Sequence, residues 1–299
     1  MRRGLLCALA GGACVLVVTA LFARPVLHAG TATPASSGAA PLPPLALADA
    51  PQKERTPAAA RPVGGLDLKR IAFGNGVSTA SAQGGTAQLT LDVDLQQTAA
   101  ALMRARRLPE AAVVLMDIAS GRLLVYASHV EGGPDRDLCA EATAPSASVF
   151  KIVTAAALIE DAHLEPDTRQ CYSGGEQRIG AIDLVDDPQR DKWCTTLAGA
   201  MGRSINAVFA RLAKEHLTPE QLDTMARRFG YGQSLAFDVP VQPSAVRVPS
   251  DPLEFARTAA GFWNSTLSPL EAAEISAIVA RGGESIRPSI VDKIVDASG

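Results

Sequence analysis

The segment 148–160, SVFKIVTAAALIE, sets the strongest constraint on how this chain folds. It is a helix former with apolar residues on nearly every face, so a neighbour must cover each face. A chain containing such a helix has to bury it. The segment also carries a charge near its start, Lys151. A buried ammonium is costly and needs a reason to be there. Ser148 precedes it by three residues, so on a helix the two side chains share a face. In a first turn the serine oxygen also feels the positive end of the helix dipole. A lysine whose pKa is lowered by burial can take the proton of a serine beside it. Ser-x-x-Lys is therefore a candidate nucleophile and base. The plainer alternative is a capping serine next to a solvated lysine.

A second triplet, Ser204-Ile205-Asn206, lies in TLAGAMGRSINAVFARLA. Serine and asparagine two residues apart point one way only at a break between helices. A hydroxyl and an amide so placed can relay a proton and hold a substrate amide. The alternative is a cap for the helix NAVFARLA.

The other periodic segments fill in an α+β pattern. LTLDVDLQQTAAALMRAR, from Leu89, is a short strand passing into a helix, with Asp92 or Asp94 as N-cap. AAVVLMDIASGRLLVYAS, 111–128, is a hairpin turning at Ala119-Ser120-Gly121. Helices follow at 148–160, 196–216 and 218–230, the last capped by Thr218 with Pro219 at its first position. Residues 234–253 read as irregular. SPLEAAEISAIVARGG, from Ser268, is a further helix closed by Gly282-Gly283. SIRPSIVDKIVDASG reads as the start of strands that complete the sheet.

Arg2 and Arg3 precede an uncharged apolar run over 4–23, long enough to span a bilayer. The arginines stay cytoplasmic and the body lies outside. The alternative is a cleaved signal peptide, which leads to the same compartment. The expected organisation is a transmembrane anchor (1–24), a Pro/Ala-rich flexible tether (25–65) and a folded domain (66–299), localised to the plasma (inner) membrane as a single-pass protein.

The chain has 28 Lys+Arg against 31 Asp+Glu, and this near-neutral balance argues against nucleic acid as a partner. Its 47% hydrophobic content excludes wholesale disorder. Four dispersed histidines and the lack of a C-x-x-C pair leave no metal site or cofactor to expect. Cys171 and Cys194 flank a loop that a disulfide can close, while Cys139 can pair with either. His129, His163 and His216 read as surface residues. Trp193 and Trp263 read as buried aromatics, with the cleft as the alternative. Asp183, Asp186, Asp187 and Asp191 read as a solvated acidic loop.

Taken in order, Ser148-x-x-Lys151 and Ser204-x-Asn206 resemble the transpeptidase domain of penicillin-binding proteins, in the serine D,D-peptidase and β-lactamase superfamily. The opening strand, helix and hairpin are similar to that family, as are FGYGQ (229–233) and GFWNSTLSPLEAAEISAIVARGG (261–283). The resemblance covers residues 88–299. It implies an α+β fold: an antiparallel sheet with a large helical block, behind the N-terminal transmembrane helix. It implies Ser148 as the nucleophile toward D-Ala-D-Ala stem peptides of peptidoglycan and Lys151 as its base. Ser204 would pass the proton to the leaving group, and Asn206 would hold the substrate amide and the lysine. The Ser148 N–H would be an oxyanion donor. β-Lactams become inhibitors and a cell-wall synthesis complex a possible partner. The family's third motif, Lys or His, then Thr or Ser, then Gly, does not follow residue 206; Arg257-Thr258-Ala259 comes too early in the order. The implied domain is thus C-terminally incomplete, with the hairpin present and the later strands missing. The alternatives are a β-lactamase or D,D-carboxypeptidase of the same superfamily, or an inactive β-lactam-binding sensor or scaffold.

Overall fold

The computed structural model describes residues 14–15 and 62–296. Apart from Cys14–Val15, the expected anchor lies outside these residues, as does nearly all of the tether. Cys14–Val15 is a two-residue strand. Among the described residues no helix is long and apolar enough to cross a membrane.

The domain opens with a meander, β1 (Ala72–Gly74), β2 (Val77–Ala82) and β3 (Gly85–Leu89). The sequence reading places no strand before residue 88. The signal it passes over is Asn75-Gly76, both at positive φ, a pair that favours a tight hairpin turn. Helix α1 (Val93–Ala105) follows, capped by the Asp92 carboxylate, which accepts from the Leu95 N–H at 2.9 Å. The expected hairpin is β4 (Glu110–Met116) with β5 (Leu123–Val130). Gln96 of α1 ties the helix to β5. Its amide donates to the Tyr126 carbonyl at 2.7 Å and accepts from the Tyr126 N–H at 2.8 Å, so a buried polar side chain is satisfied at both ends. Cys14–Val15 pairs in parallel with Ala111–Ala112 of β4.

The short strand β6 (Ala144–Pro145) leads through a 3-10 turn, Ala147–Val149, into α2 (Phe150–Glu160). A hairpin of β7 (Arg169–Tyr172) and β8 (Trp193–Thr196) carries the disulfide Cys171–Cys194, the two cysteines standing opposite each other in register. Of the pairings left open by sequence, this is the one formed, and Cys139 is free and buried. Closing a loop of this length contributes about 3 kcal/mol on a chain-entropy estimate. Helices α3 (Leu197–Arg203), α4 (Asn206–His216) and α5 (Pro219–Arg228) come next. The Thr218 cap of α5 is present as expected, as a reciprocal pair with Gln221.

Residues 234–253 are less irregular than expected. They contain β9 (Ala245–Val246) and the first turn of α6 (Pro252–Ala259). After β10 (Ser265–Leu267) comes α7 (Pro269–Ala280), capped by Ser268, and then β11 (Val291–Val295). The C-terminal strand exists as expected, but it pairs with the meander, in the order β11-β3-β2-β1. The hairpin meets the C-terminal segment near its turn, where the Leu123 N–H donates to the Ser289 carbonyl and the Ser289 N–H to the Gly121 carbonyl, both at 2.9 Å, and Arg122 pairs with Asp292 of β11.

Two cores result. Leu89, Val114, Leu123, Tyr126, Phe237 and Ile290 pack around the sheets. Phe150, Leu158, Phe209, Leu212, Leu222 and Met225 fill the helical block. Helix α7 serves both, Leu270 and Ala273 facing the first and Ala272 and Ile275 the second. As its composition requires, α2 is covered by α3, α4, α5 and α6.

Candidate active site

The site forms where the small sheet β9-β10-β6 meets the helical block. Pairing of Leu267 with Ala144 and Thr266 with Pro145 brings the segment before β10 against the turn after β6. At that turn Ala147 takes φ +48°, a conformation rare for a residue with a Cβ. Ser148 follows, in the 3-10 turn that runs into α2 rather than in the α-helix itself. Gly261 backs the turn. A Cβ at 261 would lie 2.0 Å from the Ala147 carbonyl oxygen, and Gly261 itself has φ +84°. From the other side the buried Tyr231 hydroxyl donates to Ser146 Oγ at 2.9 Å.

Ser148 is exposed, whereas Lys151, one helical turn on, is fully buried. Lys151 Nζ donates to Asn206 Oδ1 at 2.6 Å and to the Ala260 carbonyl at 2.8 Å, and lies 2.9 Å from Ser148 Oγ. The first two partners can only accept. A neutral amine has two N–H bonds, and both are committed to them. Its lone pair then faces the Ser148 hydroxyl. Burial pushes the Lys151 pKa down to about 8, so the neutral form is accessible near physiological pH.

Ser204 ends α3 in the left-handed conformation, φ +54°, and Ile205 is extended before Asn206 opens α4. This is the helix break that the spacing requires. Ser204 Oγ donates to Ser148 Oγ at 2.8 Å. The Asn206 Nδ2 donates to the Glu176 carbonyl at 2.7 Å, leaving Oδ1 toward the lysine. All four residues singled out in the sequence, Ser148, Lys151, Ser204 and Asn206, are thus in one connected cluster. Two of its positions, Ala147 and Ser204, hold non-glycine residues at positive φ, the kind of local strain that concentrates at functional sites.

Other expectations need correcting. Asp191 is not a solvated acid: its side chain is 3% exposed and pairs with Arg211, itself 2% exposed. The Arg211 guanidinium holds the Asp191 carboxyl well below the usual carboxylate range. Arg211 and Asp191 are 20 residues apart in sequence, and the fold brings them together. Trp193 and Trp263 are exposed rather than buried. Trp263 donates its indole N–H to Glu254 at 2.7 Å and lies beside the Arg257 guanidinium, so polar partners hold it at the surface. Gly261 and the Ala260 carbonyl were also missed. Among the described residues no group of His, Cys, Asp and Glu is placed to hold a metal ion.

A surface serine, a buried lysine beside its oxygen and a second serine in contact form the arrangement that Ser-Lys chemistry requires. Residues 111–298 match the penicillin binding protein transpeptidase domain, and the chain belongs to that family. It is 27% identical over 234 residues to penicillin-binding protein PbpB of Mycolicibacterium smegmatis, covering 72% of this chain and 36% of PbpB. The chain therefore spans about a third of the length of that curated relative. Among solved structures it resembles the D,D-transpeptidase domain of a peptidoglycan glycosyltransferase from Eggerthella lenta, with TM-score 0.57, 25% identity, and 71% and 58% of the two chains covered. Penicillin-binding protein A from M. tuberculosis, solved as a ceftriaxone acyl-enzyme complex, shares the fold with TM-score 0.58 at 22% identity over 71% of this chain and 54% of that one.

Proposed function

We propose that this chain carries the acylating half of a peptidoglycan D,D-transpeptidase, with Ser148 as nucleophile. The observation that carries the reading is the Lys151 amine, whose two obligate acceptors leave its third direction to Ser148 Oγ. Ser148 Oγ attacks the carbonyl of the penultimate D-Ala, forming a C–O bond while its proton passes to Lys151 Nζ. As the tetrahedral intermediate collapses, the C–N bond to the terminal D-Ala breaks. The proton reaches the leaving nitrogen by way of Ser204, whose oxygen sits 2.8 Å from that of Ser148. An amine from a second stem peptide then displaces Ser148 and makes the cross-link. A β-lactam enters the same first step but keeps its leaving nitrogen tethered, so the acyl-enzyme persists. The acyl-enzyme complex of penicillin-binding protein A supports this by likeness of fold.

The body lies on the outer side of the plasma membrane in this reading, tethered through residues 4–23. The charge flanks of that run and the disulfide Cys171–Cys194 support the compartment. Assembly with other cell-wall synthesis proteins belongs to the same proposal. The test is incubation of the purified full chain with a fluorescent penicillin, followed by mass spectrometry of the peptides. One covalent adduct on Ser148 is expected, absent from Ser148→Ala. A folded chain with no adduct, or an adduct elsewhere, overturns the reading.

A further inference from the structure

The chemistry at Lys151 depends on which way the Asn206 amide faces. If the amide flipped, Nδ2 would meet Nζ donor to donor, and one N–H of the amine would lose its acceptor. The Glu176 carbonyl fixes the choice by accepting from Nδ2 at 2.7 Å. Glu176 belongs to the arm between Cys171 and Cys194. At Gly175, φ +73°, this arm lies directly on α4, and a Cβ there would come within 2.7 Å of Ala207 Cβ.

Arg257 and Lys214 each donate to one carbonyl of the arm, of Ile179 at 2.8 Å and of Leu184 at 3.3 Å, and Arg211 makes the most contacts to it. Arg211 stands on α4, five residues after Asn206, and is buried. Its Nε donates to the Asp183 carbonyl at 2.6 Å and its Nη1 to the Cys171 carbonyl at 2.8 Å. The same guanidinium pairs with Asp191 and Asp186. Asp191 in turn accepts from Ser173 Oγ at 3.1 Å and from the Asp187 N–H at 3.0 Å. The guanidinium thus grips the arm at β7 and along the loop that leads to β8, and its planar fork suits several acceptors at fixed angles.

We propose that Arg211 is a positioning residue: it clamps the disulfide-closed arm on α4 so that the Glu176 carbonyl sets the Asn206 amide toward Lys151. The inference rests on the acyl-transfer reading above. It predicts an effect on the titration of the lysine as well as on rate. Without the Asn206 acceptor the ammonium is less stabilised, so the neutral amine appears at lower pH but is poorly aimed.

The experiment is the pH dependence of penicillin acylation, per folded molecule, for the full chain and for Arg211→Lys, which keeps the charge and loses the fork. The variant is expected to acylate about 10- to 100-fold more slowly at its plateau, a usual size for a reacting group displaced by a fraction of an ångström to an ångström. Its rising limb should move to lower pH. Gly175→Ala leaves the Arg211–Asp191 pair in place but lifts the arm off Ala207, and it is expected to change rate and limb the same way. It decides the matter if Arg211→Lys does not fold. Folded variants with the unaltered plateau and limb, whatever their melting temperatures, assign Arg211 to stability alone and overturn the inference. Absence of acylation in the parent chain would instead overturn the acyl-transfer reading.

Discussion

Lys151→Met should lower the rate of penicillin acylation by about 10²–10⁴-fold while leaving the chain folded, because in the proposed mechanism it removes the general base. Methionine keeps the length and apolar stem that α2 buries against Phe209 and its neighbours. Two effects on stability oppose each other. Lowering the lysine pKa from 10.5 to about 8 corresponds to roughly 3 kcal/mol spent on keeping the group buried, and this is relieved. Against it, Asn206 Oδ1 and the Ala260 carbonyl lose their donor, at about 1–3 kcal/mol each. The net change stays within about 3 kcal/mol, less than the stability of an ordinary domain. Urea unfolding and stopped-flow acylation on the same preparation check both halves. Acylation within tenfold of the parent rate would remove Lys151 from the base role.

Gly261→Ala should cost about 3–5 kcal/mol. Two terms add. The new Cβ falls 2.0 Å from the Ala147 carbonyl oxygen, a backbone atom that cannot rotate away. The left-handed φ of +84° costs a further 1–2 kcal/mol or so for an L side chain. The turn that yields is the one bearing Ser148, so acylation should fall in whatever fraction remains folded. Denaturant unfolding gives the stability directly, and a loss under about 1 kcal/mol would mean that the two segments do not touch as described.

These effects show what was legible in the sequence. Ser148 and Lys151 could be paired because three residues on a helix is a short-range relation, and their helix was too apolar to leave the lysine in water. Ser204 and Asn206 could be read as a helix break for the same local reason. The cap at Thr218 and one of the two candidates for α1, Asp92, stand where side-chain chemistry puts them. Relations across the chain were not legible. The approach of Gly261 to Ala147 follows from β10 pairing with β6, which no local pattern announces. Arg211 and Asp191 are separated by 20 residues, and each alone looks like a common surface residue. The meander β1–β3 was missed because VSTASA and GTAQL have little apolar contrast between their faces. Cysteine pairing waited on the register of β7 and β8, which sets Cys171 opposite Cys194. The pairing of β11 with β3 rather than with the hairpin is likewise a matter of tertiary register.

In the proposed mechanism Lys151, its pKa lowered by burial, activates Ser148 as the free amine. The pH dependence of the second-order acylation rate between pH 6 and 10 tests it most directly. With the Lys151 pKa at about 8, the ammonium form dominates below that point and only the free amine accepts the serine proton. The rate should therefore rise about tenfold per pH unit up to about pH 8 and level off above it. A rate that stays flat or falls between pH 6 and 8 would contradict the account.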